Sequence, residues 1–326
     1  MKKNILIITT GGTIVSQATE EATGAQPALS GEDLLKSIPG ANKFADLRVH
    51  NFTKLPSTEM TLELMLELAN EIKKALQQSN VDGVVITHGT DTLEETSYLH
   101  DLVLNNDKPV VFTGAMRAAS SLSSDGPMNL LQSIIVASNN QTKGYPPVIV
   151  FNDEIHLARY SMKFHSTSTD AFKSLNAGPV GMIRETNVHY FYPAFHEQTL
   201  EVTKVKSRVE IIKASAGASD FFLQAAIREK IDGIVIEGTG AGHVPSSWTN
   251  TIEKAIEKGI IVVMVPRSPA GYPLHQTYGI KGGEIHLKKL GVLFGFTNGQ
   301  KTRVFLTLAL SAGWDKENIN KFFMEK

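Results

Sequence analysis

The sequence predicts an α/β protein: a larger N-terminal domain on a doubly wound, mainly parallel sheet, then a smaller C-terminal α/β domain. Three observations lead there. Short β-branched apolar runs, such as Ile5-Leu6-Ile7-Ile8 and Val84-Val85-Ile86, read as strands buried on both faces, as parallel strands are. Segments of helical periodicity alternate with such runs through most of the chain. A length of 326 residues exceeds what one core usually supports, so the alternation is expected to divide between two domains.

Taken in order, strand 5–9 ends in Thr9-Thr10-Gly11-Gly12-Thr13-Ile14, and a helix is expected at about 31–38. Leu62, Met65, Leu66, Ala69, Ile72 and Leu76 then recur at helical spacing behind Thr61, a good N-cap residue. Strand 83–87 runs into His88-Gly89-Thr90-Asp91-Thr92, and the helix from about 93 has Thr92 and Glu95 at capping-box spacing. Strand 109–113 passes through Gly114 and a serine-rich loop to a helix near 127, where Pro127 suits the first turn. Residues 148–151 form a further strand, and right-handed crossovers put helices on both faces. The rhythm pauses after about 190 in the polar stretch 196–208. It resumes with strand 209–213, helix 219–229, strand 232–236, helix 247–258, strand 260–265 and helices near 302–311 and 315–324. The expected organisation is a first domain over 1–190, a linker over 191–208 and a second domain over 209–326. Segments 81–90 and 231–239 echo each other, but little around them matches, so convergence of two turn-then-strand units is preferred to duplication.

Composition narrows the function. At 42% hydrophobic and 20% charged residues the chain is an ordinary globular one. Lysine and arginine number 32 against 33 acidic residues, with no basic run, so neither nucleic acid nor an anionic membrane has an electrostatic footprint. The absence of cysteine excludes disulfides, thiolate catalysis and cysteine-ligated metal. No apolar run approaches about 18 residues, so no membrane helix is expected. Residues 5–8 are too short for a signal-peptide core, which makes the cytoplasm the default compartment.

Several motifs fail. Gly238-Thr239-Gly240-Ala241-Gly242-His243 imitates a dinucleotide turn, but His243 replaces the third glycine and the segment lies far from the N-terminal βαβ unit. Residues 295–302 have the wrong spacing for a phosphate loop. The ten histidines include no HExxH and no close pair at helical ligand spacing, so neither a metal nor a cofactor is expected.

What remains is the pair of threonine turns. Both follow buried strands, where open α/β sheets bind ligands outside the carboxyl ends of their strands. Gly11 and Gly12 permit close ligand approach before Thr13, although an isolated Gly-Gly-Thr is more often structural. The second turn precedes a helix, so its N–H groups and the positive dipole end can face an anion. Asp91 reads equally as a helix-start residue or as a partner for a ligand's ammonium group. A threonine hydroxyl needs a base to become a nucleophile. Lys163, in Tyr160-Ser161-Met162-Lys163-Phe164-His165, would otherwise pass for an exposed lysine; buried beside a carboxylate it gives a Thr-Lys-Asp relay.

These motifs, with Pro109-Val110-Val111-Phe112-Thr113-Gly114-Ala115-Met116-Arg117 and Asp125-Gly126-Pro127-Met128-Asn129-Leu130, make the chain resemble the bacterial-type L-asparaginase (asparaginase/glutaminase) family along nearly its whole length. The resemblance implies hydrolysis of the side-chain amide of L-asparagine to L-aspartate and ammonia, with L-glutamine left open as a second substrate. It implies that Thr13 is the nucleophile forming a β-acyl-enzyme, and that Thr90, Lys163 and Asp91 form a second hydroxyl-base-acid set. Ser57 and Asp91 would hold the substrate's α-carboxylate and α-amino groups. Gly12 and Gly89 belong to the same pocket, with Thr58 where the family often has Gln. Backbone N–H groups near Thr90 and Ala115 would serve as oxyanion donors.

The sequence also departs from the family. Exported members usually carry a lid tyrosine after the first motif, whereas residues 16–30 contain none; Ala25 is the nearest match, and Tyr278 is a candidate to supply the phenol. The composition of that loop still suits a flexible lid. The resemblance further implies a homotetramer of close dimers, each site completed by a neighbouring subunit, with His243 where Asn is usual and Glu284 as the acidic partner. Two rivals stand beside this reading. One is the asparaginase-like subunit of a tRNA-dependent amidotransferase, which usually has an extra domain before the first threonine motif, where this sequence has nine residues before Thr10. The other is a non-catalytic amino-acid-binding module, which would not need a lysine beside the hydroxyls.

Overall fold

The computed structural model describes residues 2–18, 25–27, 31–195 and 198–324. The chain divides into two compact units, Met1–Thr199 and Leu200–Lys326. In the first unit the strands are β1 (Lys3–Gly11), β2 (Ser16–Ala18), β3 (Ala25–Pro27), β4 (Ala45–Leu55), β5 (Gly83–Thr87), β6 (Val110–Thr113), β7 (Val148–Phe151), β8 (Glu154–Leu157), β9 (Met162–Lys163), β10 (Phe172–Lys173), β11 (Gly181–Arg184) and β12 (Asn187–Tyr190). Four α-helices are interspersed among the described residues: α1 (Gly31–Lys36), α2 (Leu62–Gln77), α3 (Leu93–Val103) and α4 (Gly126–Ser138).

Eight of these strands form one sheet in the order β12-β11-β8-β7-β6-β5-β1-β4. From β4 to β7 every pairing is parallel. Every residue of β5 and of β6 is buried, which is why both read as unbroken apolar runs. Ile5, Ile7, Val85 and Val111 share a core with Leu130 and Ile134 of α4. The alternate residues face the other way, and the ring of Phe112 meets His100 of α3 edge-on at 5.0 Å. Helices therefore cover both faces, as expected. The sheet differs from the sequence expectation at one end, where β8, β11 and β12 extend it antiparallel. It differs at the other end too: the expected order has no strand at β4, an edge strand whose residues are mostly half-buried or exposed and so lack the two-sided apolar signal.

Local chemistry sets the helix starts. Thr61 caps α2, its Oγ1 accepting from Leu64 N at 3.3 Å, an interaction type that contributes about 1 kcal/mol. Pro127 lies in the first turn of α4. The capping box expected at Thr92 is absent: Thr92 is the N-cap of α3, but its hydroxyl donates to Ser57 O at 2.6 Å instead.

The second unit holds β13 (Val209–Lys213), α5 (Phe221–Arg228), β14 (Gly233–Gly238), α6 (Thr249–Glu257), β15 (Ile261–Pro266), α7 (Glu284–Leu290), β16 (Leu293–Phe294), α8 (Gly299–Ser311) and α9 (Lys316–Met324). Its sheet is parallel in the order β13-β14-β15-β16. α7 and β16 go beyond the sequence expectation; both are short and follow a glycine-rich stretch. Of the expected lid, β2 and β3 pair antiparallel, and residues 19–24 and 28–30 lie outside the described residues, as do 196–197 of the expected linker. Among the described residues no helix is long and apolar enough to cross a membrane.

Candidate active site

The chain passes from β1 to β4 on one side of the sheet and then to β5 on the other, so the topological switch point lies between β1 and β5. Both threonine turns leave the sheet there. Gly11 and Gly12 have φ of 111° and 84°, and Thr13 opens a short 3-10 turn. The two turns touch: a Cβ on Gly12 would lie 2.4 Å from the Cα and N of Gly89. Gly89 in turn lies against Ser57, whose Oγ would be 2.7 Å from a Cβ at that position. Ser57 is buried at the start of the 3-10 turn that follows β4, whereas Thr58 beside it is exposed.

The second turn carries the hydroxyl and carboxylate that sequence reading singles out. Lys163 Nζ donates to Thr90 Oγ1 at 3.0 Å and to Asp91 Oδ1 at 2.5 Å. The Thr90 side of this contact is buried and the Asp91 side is 61% exposed, so the ammonium bridges the protein interior and the open face of the turn. Lys163 N donates to the buried carboxylate of Glu94 at 3.4 Å, which ties β9 to the first turn of α3.

His88 shapes this turn without facing outward. Its ring is fully buried, and burial pushes the imidazole down to about 4, partly opposed by its bond to Gly89 O. The ring is therefore neutral near pH 7. Because Gly89 O at 2.7 Å can only accept, Nδ1 carries the proton and Nε2 accepts from Thr96 Oγ1 at 3.0 Å. Both nitrogens are committed, and the histidine acts as a fixed strut.

The third contribution comes from the end of β6. Ala115 is buried, and the space beside Gly126 is bounded by Ile14 Cγ1 at 2.9 Å and Ala115 Cβ at 3.3 Å, so this turn lies next to the residue that follows Thr13. Asp125 accepts from Met116 N and Arg117 N, each at 2.9 Å, while Asn129 donates to Gly114 O at 3.1 Å and to Asp125 at 3.2 Å. Sequence reading finds Asp125 and Asn129 only as family motif; the structure gives them the task of holding the 114–117 turn. Thr96, Glu94 and Lys173, the last described below, are likewise not singled out by sequence as site residues. For Thr96 the available signal is its place in the first turns of α3, just after the His88 turn.

The second unit brings together the other two candidates. His243 Nε2 lies 3.1 Å from Glu284 Oε2, and Glu284 Oε1 accepts from Thr277 N at 2.7 Å and Tyr278 N at 2.5 Å. Burial pushes the Glu284 carboxyl up, but these N–H bonds and His243 outweigh it and hold the group below its ordinary value. The carboxylate is thus ionised, and Nε2 of His243 carries the proton it shares with Glu284. Tyr278, the candidate phenol, presents its ring edge-on to His243 at 5.0 Å. Among the described residues no group of three or more histidine, aspartate or glutamate side chains is placed to hold a metal ion.

A hydroxyl, an ammonium and a carboxylate gathered at the switch point of a mainly parallel sheet, with a second α/β domain following, define a two-domain α/β protein with a polar candidate site at the carboxyl ends of its strands. Comparison with known proteins gives the family. Residues 4–196 match the family model described as "Asparaginase, N-terminal", and residues 208–323 match "Glutaminase/Asparaginase C-terminal domain". The chain is 34% identical over 315 residues to an L-asparaginase of Bacillus licheniformis, covering 96% of this chain and 97% of that protein. It is 33% identical to L-asparaginase 2 of Escherichia coli, over 98% of this chain and 92% of that one. The crystal structure of a probable cytoplasmic L-asparaginase from Campylobacter jejuni superposes with a TM-score of 0.88 at 32% identity, covering 99% of both chains. The protein belongs to the asparaginase family.

Proposed function

We propose that the protein is an L-asparaginase, hydrolysing the side-chain amide of L-asparagine to L-aspartate and ammonia. The observation that carries this reading is the Lys163 amine bonded to both Thr90 Oγ1 and Asp91 Oδ1, on a turn whose Gly89 abuts the glycine preceding Thr13. In the reaction, the Thr13 hydroxyl oxygen adds to the amide carbon as its proton is withdrawn, and N–H groups near Thr90 and Ala115 stabilise the oxyanion. The C–N bond then breaks, the nitrogen leaves as ammonia with the transferred proton, and a β-aspartyl ester remains on Thr13. Water attacks that ester with Thr90 and Lys163 taking its proton; the ester bond breaks, Thr13 regains its proton and aspartate departs. Lys163 must be neutral when it accepts, and the adjacent Asp91 carboxylate stabilises the charge it then acquires. Ser57 and Asp91 hold the α-carboxylate and α-ammonium of the substrate, with Gly12, Gly89 and Thr58 lining the pocket.

In this reading the enzyme works as a homotetramer of close dimers, with His243 and Glu284 of a neighbouring subunit completing each site. We place it in the cytoplasm, by analogy with the Campylobacter jejuni protein, which is named as probably cytoplasmic. A Haemophilus influenzae relative, 35% identical, is named as periplasmic, so cell fractionation decides this point. The central test is ammonia release from L-asparagine and L-glutamine by purified protein without added metal or nucleotide. Thr13→Ala should abolish release in a folded protein; substantial residual turnover would remove Thr13 from its role. Thr90→Val and Lys163→Met should each lower kcat by orders of magnitude with smaller changes in KM.

A further inference from the structure

Lys163 is carried by a small hairpin. β9 is two residues long and pairs antiparallel with the two residues of β10, Phe172 opposite Lys163 and Lys173 opposite Met162. A ladder this short is marginal by itself, so the direction of the Lys163 side chain depends on what holds the hairpin to the domain. Two anchors lie on β10. Phe172 is buried, with its ring 4.8 Å from that of Phe151 at the end of β7. Beside it, Lys173 Nζ lies 3.0 Å from Glu154 Oε2 and 2.6 Å from Asp170 Oδ1.

Glu154 is itself fixed at the start of β8, where His156 Nε2 lies 3.2 Å from the same oxygen and Ser174 Oγ lies 3.0 Å from His156 Nδ1. The nearby His156 ring, first, and then the contact with Lys173 hold the Glu154 carboxyl down to about 2 despite its partial burial. Asn152, in the tight turn before β8, donates to Asp170 at 3.2 Å and closes the group. These contacts join the hairpin to the antiparallel edge of the main sheet. None of these groups belongs to the chemistry proposed above.

We infer that the Glu154–Lys173–Asp170 ion cluster is a positioning device, which aims the amine of Lys163 at Thr90 and Asp91 by clamping the opposite strand of its hairpin. The inference rests on the proposed role of Lys163. With β9 still tied at Lys163 N to Glu94 and β10 still packed through Phe172, losing the ion cluster lets the hairpin pivot about those points, and a displacement near 1 Å at a reacting group typically costs about a hundredfold in rate.

Lys173→Met is therefore expected to lower kcat by at least about tenfold, with KM changed less than threefold, and Lys173→Arg should restore most of the loss because it still reaches both carboxylates. Glu154→Gln, which removes the charge and keeps the shape, should fall in the same direction. The decisive measurement is the double variant. If Lys173 works through Lys163, adding Lys173→Met to Lys163→Met should leave the residual kcat unchanged within about twofold, because the aimed group is already gone. Circular dichroism and the thermal midpoint verify that each variant is folded. A folded Lys173→Met with wild-type kcat, or a further loss of kcat in the double variant equal to that in the single, overturns the clamp. Near-wild-type kcat in Lys163→Met alone would instead overturn the role of Lys163, so the two failures are distinguishable.

Discussion

The closest approach in the site, between Gly12 and Gly89, gives a quantitative test of whether the two turns act as one unit. Gly12→Ala adds a single methyl group to a residue with φ of 84°, 2.4 Å from the backbone of Gly89. The backbone conformation alone costs about 1–2 kcal/mol for a residue bearing a Cβ. Relieving the clash to ordinary contact, about 3.4 Å or more, drives the two turns about 1 Å apart, because the atoms opposite are backbone and no rotamer change helps. The turns bearing Thr13 and Thr90 then separate by the same amount, and kcat should fall roughly a hundredfold. Gly178→Ala is the control: its φ is 72°, yet nothing lies within 4 Å of the added methyl. It should lose about 1–2 kcal/mol in urea denaturation and keep its turnover. Steady-state ammonia release separates strain from displacement. If folded Gly12→Ala turns over within twofold of wild type, the turns do not need to be in register and the reasoning fails.

Three other expectations follow from the same geometry. His88 and His100 are both buried and held down to about 4 and about 3. Unfolded chains take up protons on both below about pH 6.5 while the folded rings stay neutral, so stability should decline by about 2–3 kcal/mol per histidine from pH 6.5 to 4.5. Urea midpoints measure this, and His100→Phe should remove about half the slope; an unchanged slope would show that His100 is not the source. Asp125→Ala should release Met116 N and Arg117 N and loosen the 114–117 turn, lowering kcat/KM by about tenfold, which kinetics against the folded wild type will check. Thr61→Ala should cost about 1 kcal/mol in thermal or urea unfolding through the lost cap on α2 and leave kcat untouched.

How far the sequence can be read depends on how each residue is buried. β5, β6 and β15 are legible because central parallel strands are apolar on both faces, and they start and stop within a residue or so of where periodicity puts them. β4 is not, since an edge strand exposes much of its length. β8 to β12 are not, because runs of two to four residues with mixed polarity carry no period long enough to register. The Thr92–Glu95 spacing misleads in an instructive way. Capping-box residues are present, but a tertiary acceptor, the carbonyl of Ser57, captures the hydroxyl, and local spacing cannot reveal a competitor 35 residues upstream. Thr13 and Thr90 can be proposed from their turns. The partner of Thr90 is harder to reach: Lys163 is 73 residues away and on composition passes for an exposed lysine, offered as a base only because a threonine hydroxyl needs one, and the family resemblance then assigns it the role.

The arrangement also explains why a lysine at this site comes from a hairpin on the antiparallel side of the sheet. The ends of β1 and β5 supply hydroxyls and N–H groups on short, stiff turns, suitable for holding a zwitterion but too close together for a long cationic side chain of their own. Gly12 against Gly89 and Gly89 against Ser57 leave no room for a Cβ, still less an amine. In the proposed mechanism the base reaches in from another element, and a long flexible side chain loses rotamer freedom in being aimed. Packing β10 on Phe151 and clamping it through Lys173 removes much of that freedom before substrate arrives. Preorganisation of this kind is what lets a weakly nucleophilic hydroxyl and an ordinary amine act together. Under the proposed mechanism the antiparallel extension of the sheet, invisible to hydrophobic periodicity, is the scaffold for the base.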